Sequence, residues 1–134
     1  MIAKMLNGLV EKCSGSVYFV FRVLTGFLFL LHGIQKLPGI VSGKTAAFSL
    51  FWFAGAIELI AGTLIIIGLF VRYASVVTSI EMLVAFFYVH VGSGGVWHPM
   101  KNGGEPALLF FAAFLILVTH GAGKWGIDSV ISKK

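Results

Sequence analysis

The sequence predicts an all-α integral membrane protein, an antiparallel four-helix bundle formed by one domain spanning residues 1–134. Three observations predict it. Hydrophobic residues make up 58% of the chain and charged residues 11%, against about 25% charged in an ordinary soluble domain. Mean hydropathy is +0.98, and so few charges cannot cover the surface of a water-soluble fold. The apolar residues fall into long runs, about 17–37, 48–71, 74–91 and 106–120, separated by glycine, proline and charge, which is the spacing of membrane spans.

Residues 1–16, MIAKMLNGLVEKCSGS, precede the first span. Leu6, Leu9 and Val10 with Lys4 and Lys12 suit a short helix on the membrane surface, and a loose arm is the alternative. The two lysines ahead of an apolar run resemble a secretory leader, but Arg22 interrupts the run and no small-x-small cleavage pattern follows. The reading is a retained span.

The first span holds RVLTGFLFLLHGIQK, residues 22–36. At about 3.6 residues per turn, Arg22, Thr25, Gly26, Phe29, His32, Gly33 and Lys36 share one side, while Val23, Leu24, Leu28, Leu31 and Ile34 lie opposite. A helix in lipid turns its ionisable groups toward partner helices or a wet cavity, so this side faces the bundle. Leu37-Pro38-Gly39 stops the helix, and residues 40–47, with Lys44, connect to the second span.

The second span carries Glu58 near its middle, flanked by Gly55 and Gly62. Small residues at Gly26, Gly33, Gly55 and Gly62 allow close approach of neighbouring helices. Arg72 and Tyr73 are expected to turn the chain into the third span, which carries Glu81, with Thr78, Ala85, Tyr88 and Gly92 extending that face. The polar, glycine-rich stretch 92–105 follows, and Pro106 is well suited to open the fourth span. The tail GAGKWGIDSVISKK offers Trp125 to the interface.

Four spans put both termini on one side. Lys4, Lys12, Arg72, Lys124, Lys133 and Lys134 lie there, with Arg22 nearby, and Lys36, Lys44 and Lys101 lie opposite. The excess of basic residues places the termini in the cytoplasm. The net charge of +5 comes without a basic run or aromatic-spaced patch, so nucleic acid is not expected as a partner. Cys13 is the single cysteine, which excludes an internal disulfide and dithiol exchange.

A carboxylate near the bilayer centre costs roughly 2.5–3.5 kcal/mol on insertion scales, so Glu58 and Glu81 need partners or water. Glu58 reads as a functional group and as the partner of Arg22 in an internal ion pair. Glu81 reads as glue between helices. His32 and Lys36 stand one turn apart, with Glu105 expected at their level. The three suit an anion or a quinone carbonyl, the histidine passing a proton. His90 is expected on the face opposite Glu81, His98 in the loop and His120 at the other end. A haem would require His32 with His90 or His98, and no zinc spacing is present, so no metal site is expected.

The combination R-x-x-x-G (Arg22, Gly26), HG-x-x-K (His32, Gly33, Lys36), E-x-x-x-G (Glu58, Gly62) with Gly68 and Arg72, NGGEPALLFF from Asn102 and GAGKWGIDS ending near Asp128 resembles the DoxX family of small four-helix bacterial membrane proteins. The resemblance runs from about Tyr18 to Asp128. It implies an inner-membrane component of a quinone-linked oxidoreductase, in sulfur-compound oxidation or oxidative-stress defence. Quinone is the implied cofactor. The implied partners are a soluble sulfurtransferase, a superoxide dismutase or another membrane subunit, besides the lipid bilayer and other copies of the chain. Under that reading His32, Glu58 and Glu105 are the catalytic candidates, and Arg22, His32, Lys36, Glu58 and Glu105 bind the cofactor. They would line a cavity between the first, second and fourth spans, open to the outer side. A non-enzymatic scaffold or chaperone, in which the same charges lock the helices together, is the alternative; a small transporter or channel subunit ranks third.

Overall fold

The computed structural model describes residues 1–37, 45–92 and 96–133, and among them the chain is helical with no strand. The elements are α1 (Ile2–Lys36), α2 (Leu50–Ile67), α3 (Val71–Val91), a single turn α4 (Pro99–Asn102), α5 (Glu105–His120) and a short α6 (Ile127–Ile131). Three of them, α1, α2 and α3, are long and apolar enough to cross a membrane, and α5 is a shorter apolar helix.

The N-terminal arm and the first span are one helix of 35 residues, about 52 Å at a rise of ~1.5 Å per residue. That exceeds the ~30 Å hydrocarbon thickness. No proline interrupts residues 2–36, and the arm's exposed Ile2, Met5, Leu6, Leu9 and Val10 extend beyond the packed half. At the other end Leu37 adopts an extended conformation, ψ 127°, as expected for a residue before proline. Pro38, Gly39, Lys44 and Lys134 lie outside the described residues.

α1 packs chiefly on α2, and α3 on α5. The first contact is backbone against backbone. A Cβ on Gly33 would sit 2.6 Å from the Leu59 amide nitrogen and 2.7 Å from the Gly55 carbonyl oxygen, and one on Gly62 would sit 2.8 Å from the Gly26 carbonyl oxygen. The four glycines expected to bring helices together therefore meet each other in two facing pairs. Between the helix pairs lies an aromatic and aliphatic core, in which Phe29 meets Phe114 edge-on at 4.7 Å and Ile65, Val71, Phe86 and Leu117 are buried.

The α2–α3 junction differs from its sequence reading. α2 is capped at its start by Ser49, whose hydroxyl accepts from the Trp52 amide, and ends at Gly68, with φ +75°. Arg72 and Tyr73 are not the turn; they belong to the first turn of α3, and the bend is Gly68–Phe70. Its fixing point comes from far along the chain. The Asp128 carboxylate accepts from the Phe70 and Val71 amides at 2.8 and 3.0 Å, and the Asp128 amide donates to the Gly68 carbonyl at 2.9 Å. These are the amides a helix start leaves unsatisfied, and the negative charge suits the helix N-terminus. Asp128→Ala is expected to cost about 1–2 kcal/mol, and Asp128→Asn, which keeps one acceptor oxygen, less; thermal unfolding in detergent measures both.

Candidate functional site

Arg22 was expected to pair with Glu58, and the structure corrects this. The fully buried guanidinium donates to the Ile65 and Ile66 carbonyls at the end of α2 and to the Trp125 carbonyl, at 2.5, 2.7 and 3.2 Å. Carbonyls of a last helical turn have no partner within the helix and carry its negative partial charge, so one cation satisfies them in place of a carboxylate. Arg22 thus ties α1, the end of α2 and the tail together. It does not line the cavity that holds Glu58.

Glu58 pairs instead with Lys36, Nζ to Oε1 at 2.6 Å. The helix crossing explains the choice. Gly33 lies on Gly55 and Leu59, and a Cβ at Gly55 would sit 2.8 Å from the Lys36 Cβ. The missing side chain leaves room for the lysine stem to pass to the carboxylate one turn on. Glu58 is 2% exposed and Lys36 31%, so the lysine joins a buried acid to a wetter surrounding. The other oxygen, Glu58 Oε2, is buried without a partner among the described residues.

The pair borders a cavity of about 100 Å³ formed by all four principal helices: Phe29, His32 and Lys36 from α1, Glu58 from α2, His90 from α3, and Phe110 from α5 among its walls. This volume suits about three waters at ~30 Å³ each or a small polar head group; it is far below the ~300–1,000 Å³ of pockets that enclose a drug-sized ligand, and no haem macrocycle fits it. His32 is exposed and packs edge-on against Phe110 at 5.5 Å. The expected third wall, α5, contributes Pro106, Ala107 and Phe110. Glu105 is a correction: its side chain is exposed at the first turn of α5 and does not line the cavity.

His90 takes the place that sequence reading gave to Glu105. From Ala85 to Val91 the backbone is π-helical, and a π-helix turns less per residue than an α-helix. Glu81 and His90 line different cavities, consistent with the opposite faces read from the sequence; what that reading leaves out is that His90 reaches the cavity of Glu58. Its ring is held from outside the cavity: Nδ1 donates to the Asn102 carbonyl at 3.0 Å. A carbonyl can only accept, so the proton sits on Nδ1, and a neutral ring keeps Nε2 as an acceptor. Asn102 in turn donates through Nδ2 to the Val96 carbonyl and accepts the Gly104 amide, both at 2.8 Å. The conspicuous Asn-Gly-Gly-Glu stretch is a loop lock that orients His90.

Glu81 does not act as glue. Both its carboxylate oxygens are buried without a hydrogen-bond partner among the described residues, and it faces a different space, between α2 and α3. Among the described residues no three His, Cys, Asp or Glu side chains come together as a metal site.

A family model described as DoxX matches residues 17–91, the segment that carries His32, Lys36, Glu58 and His90. An uncharacterized protein of Haemophilus influenzae is 38% identical, covering 93% of this chain and 98% of its own. An uncharacterized membrane protein of Mycobacterium tuberculosis is 30% identical, covering 84% of this chain and 80% of its own. No solved structure matches the chain.

Proposed function

The chain belongs to the DoxX family of membrane proteins, and from that premise we propose that it is an inner-membrane component of a quinone-linked oxidoreductase serving sulfur-compound oxidation or oxidative-stress defence. In this reading α1, α2, α3 and α5 form an antiparallel four-helix bundle. The fourth span is the shortest: the 16 residues of α5 cover about 24 Å, so the bilayer thins there or flanking groups snorkel. The basic excess at one end puts both termini in the cytoplasm.

The observation that carries the proposal is the Lys36–Glu58 pair beside His32 and His90 in one small cavity. Buried ionisable groups inside a membrane bundle mark ligand or proton paths. The donor set suits a quinone head: the Lys36 ammonium offers protons to a carbonyl, and the orphaned Glu58 Oε2 accepts from a hydroxyl. A quinone bound there supplies two-electron acceptance, the electrons coming from a reduced sulfur compound oxidised on a partner subunit and two protons coming from the protein. His32 stands at the cavity wall to pass a proton, His90 offers Nε2 as an acceptor, Lys36 orients the head, and Glu58 keeps the ammonium in place. Arg22 and Glu105, the remaining sequence candidates, serve packing and the loop surface rather than the head group.

Glu58→Gln is the test. It keeps shape and one acceptor, and the expected result is at least a roughly tenfold weaker affinity for an added short-chain quinone, with the protein still folded in detergent. Unchanged affinity removes Glu58 from the site. The scaffold reading has one observation in its favour, the apolar N-terminal half of α1, exposed at Ile2, Met5, Leu6 and Leu9. It predicts instead that Glu58→Gln lowers the melting temperature and changes no ligand affinity.

A further inference from the structure

A second cavity, of about 300 Å³, opens between α2 and α3. Its walls include Phe53, Ala54, Ile57, Val77 and Tyr88, with Glu81 the single carboxylate among them. Phe53, Val77 and Tyr88 are 50%, 49% and 68% exposed, so in a bilayer the mouth of this cleft meets lipid chains. The volume is at the lower end for a ligand pocket. An apolar cleft of this kind admits a hydrocarbon chain without help from any polar group.

Glu81 is what makes it more than a furrow. Both carboxylate oxygens are buried and have no partner among the described residues, although nearly all buried polar groups in native structures are hydrogen-bonded. The nearest wall cation, Lys36, gives its ammonium to Glu58. A ligand that relieves Glu81 must fit a carboxylate, which only accepts, and a carboxyl, which donates once and accepts once. A hydroxyl, being donor and acceptor, pairs with both; a carbonyl pairs only with the second, and an ether oxygen likewise.

The geometry points to the α2–α3 cleft as a binding site for a long-chain molecule with a hydroxyl head, seated with the hydroxyl on Glu81 and its chain toward the lipid. A reduced quinone ring and an aliphatic alcohol lipid both carry this chemistry. Lys36, Met82 and Ala85 border this cleft and the His32 cavity alike, so the two spaces share a wall; the inference nonetheless stands or falls without the quinone reading.

The test uses the full chain in phosphatidylcholine nanodiscs and a dodecanol carrying a diazirine, photolysed and mapped by peptide mass spectrometry. Adducts are expected on α2 and α3 at the cleft. Plain dodecanol should displace them about tenfold better than dodecyl methyl ether, the difference being one hydrogen bond to a buried acid. Glu81→Leu should abolish that preference and Glu81→Gln, which still donates and accepts, should keep it. Ala54→Phe, which fills the cleft and leaves Glu81 intact, should remove the labelling, so the result does not hang on one variant folding. A short-chain hydroquinone competing better than dodecanol assigns the head to a reduced ring, and the reverse assigns it to an alcohol lipid. Equal competition by alcohol and ether, or an undiminished preference in Glu81→Leu, overturns the proposal.

Discussion

Lys36→Met is expected to destabilise the protein by about 3–5 kcal/mol, toward the lower end of that range. Glu58 is 2% exposed, and among the described residues Lys36 is the cation bonded to it; Arg22 is committed to the Ile65, Ile66 and Trp125 carbonyls. The stranded acid must then take up a proton or draw in water, which limits the loss, as does the partial exposure of Lys36. The pair as a whole contributes much less than its halves. Replacing both groups, Lys36→Met with Glu58→Leu, is expected to restore most of the lost stability, because an apolar pair needs no compensation. Equilibrium unfolding of both single variants and the double variant in detergent gives the coupling directly. Additive losses would mean that the two side chains do not meet in the bilayer.

Gly33→Leu is expected to be as damaging, with a loss of about 3 kcal/mol or more. A Cβ alone would stand 2.6 Å from the Leu59 nitrogen and 2.7 Å from the Gly55 oxygen. Both are backbone atoms of a helix and cannot swing aside, so α1 and α2 must separate along their whole crossing. Gly8→Leu is the control. Nothing lies within 4 Å of a Cβ there, and loss of a helical glycine should stabilise the exposed arm slightly, by up to ~1 kcal/mol. Melting temperature and monomer recovery by gel filtration separate the two outcomes. Because Gly33 sets the level at which Lys36 meets Glu58, Gly33→Leu should also weaken any ligand of the His32 cavity, whereas Gly8→Leu should not.

Much of this was legible in the sequence because it depends on local periodicity. The spacing of Gly26 and Gly33 on the face of His32 and Lys36, and of Gly55 and Gly62 around Glu58, is enough to see which sides of α1 and α2 meet. What periodicity does not contain is depth. Arg22 and Lys36 share a face of α1, and the choice between them as partner of Glu58 is made by where the helices cross. Arg22 then finds carbonyl oxygens, partners that no side-chain pattern reveals. The sequence places His90 on the face opposite Glu81, and the two do line different cavities; what the sequence does not show is that the π-helical segment from Ala85 to Val91 carries His90 to the cavity of Glu58. Asp128 stood out only as part of a recurring tail pattern, since its role, capping α3 from 57 and 58 residues away, requires the tertiary fold. Glu105 was overvalued because nearness in sequence to the cavity wall at Pro106 says nothing about the direction of a side chain.

The central claim is that the Lys36–Glu58 pair with His32 and His90 holds a quinone head. The most direct measurement is solvent extraction and mass spectrometry of the protein purified in mild detergent with its native lipid, alongside the folded Glu58→Gln variant. A quinone near one per chain in the wild type, strongly depleted in the variant, is the expected result. Quinone at no more than its level in the co-purified lipid, and equal in the two proteins, would contradict it.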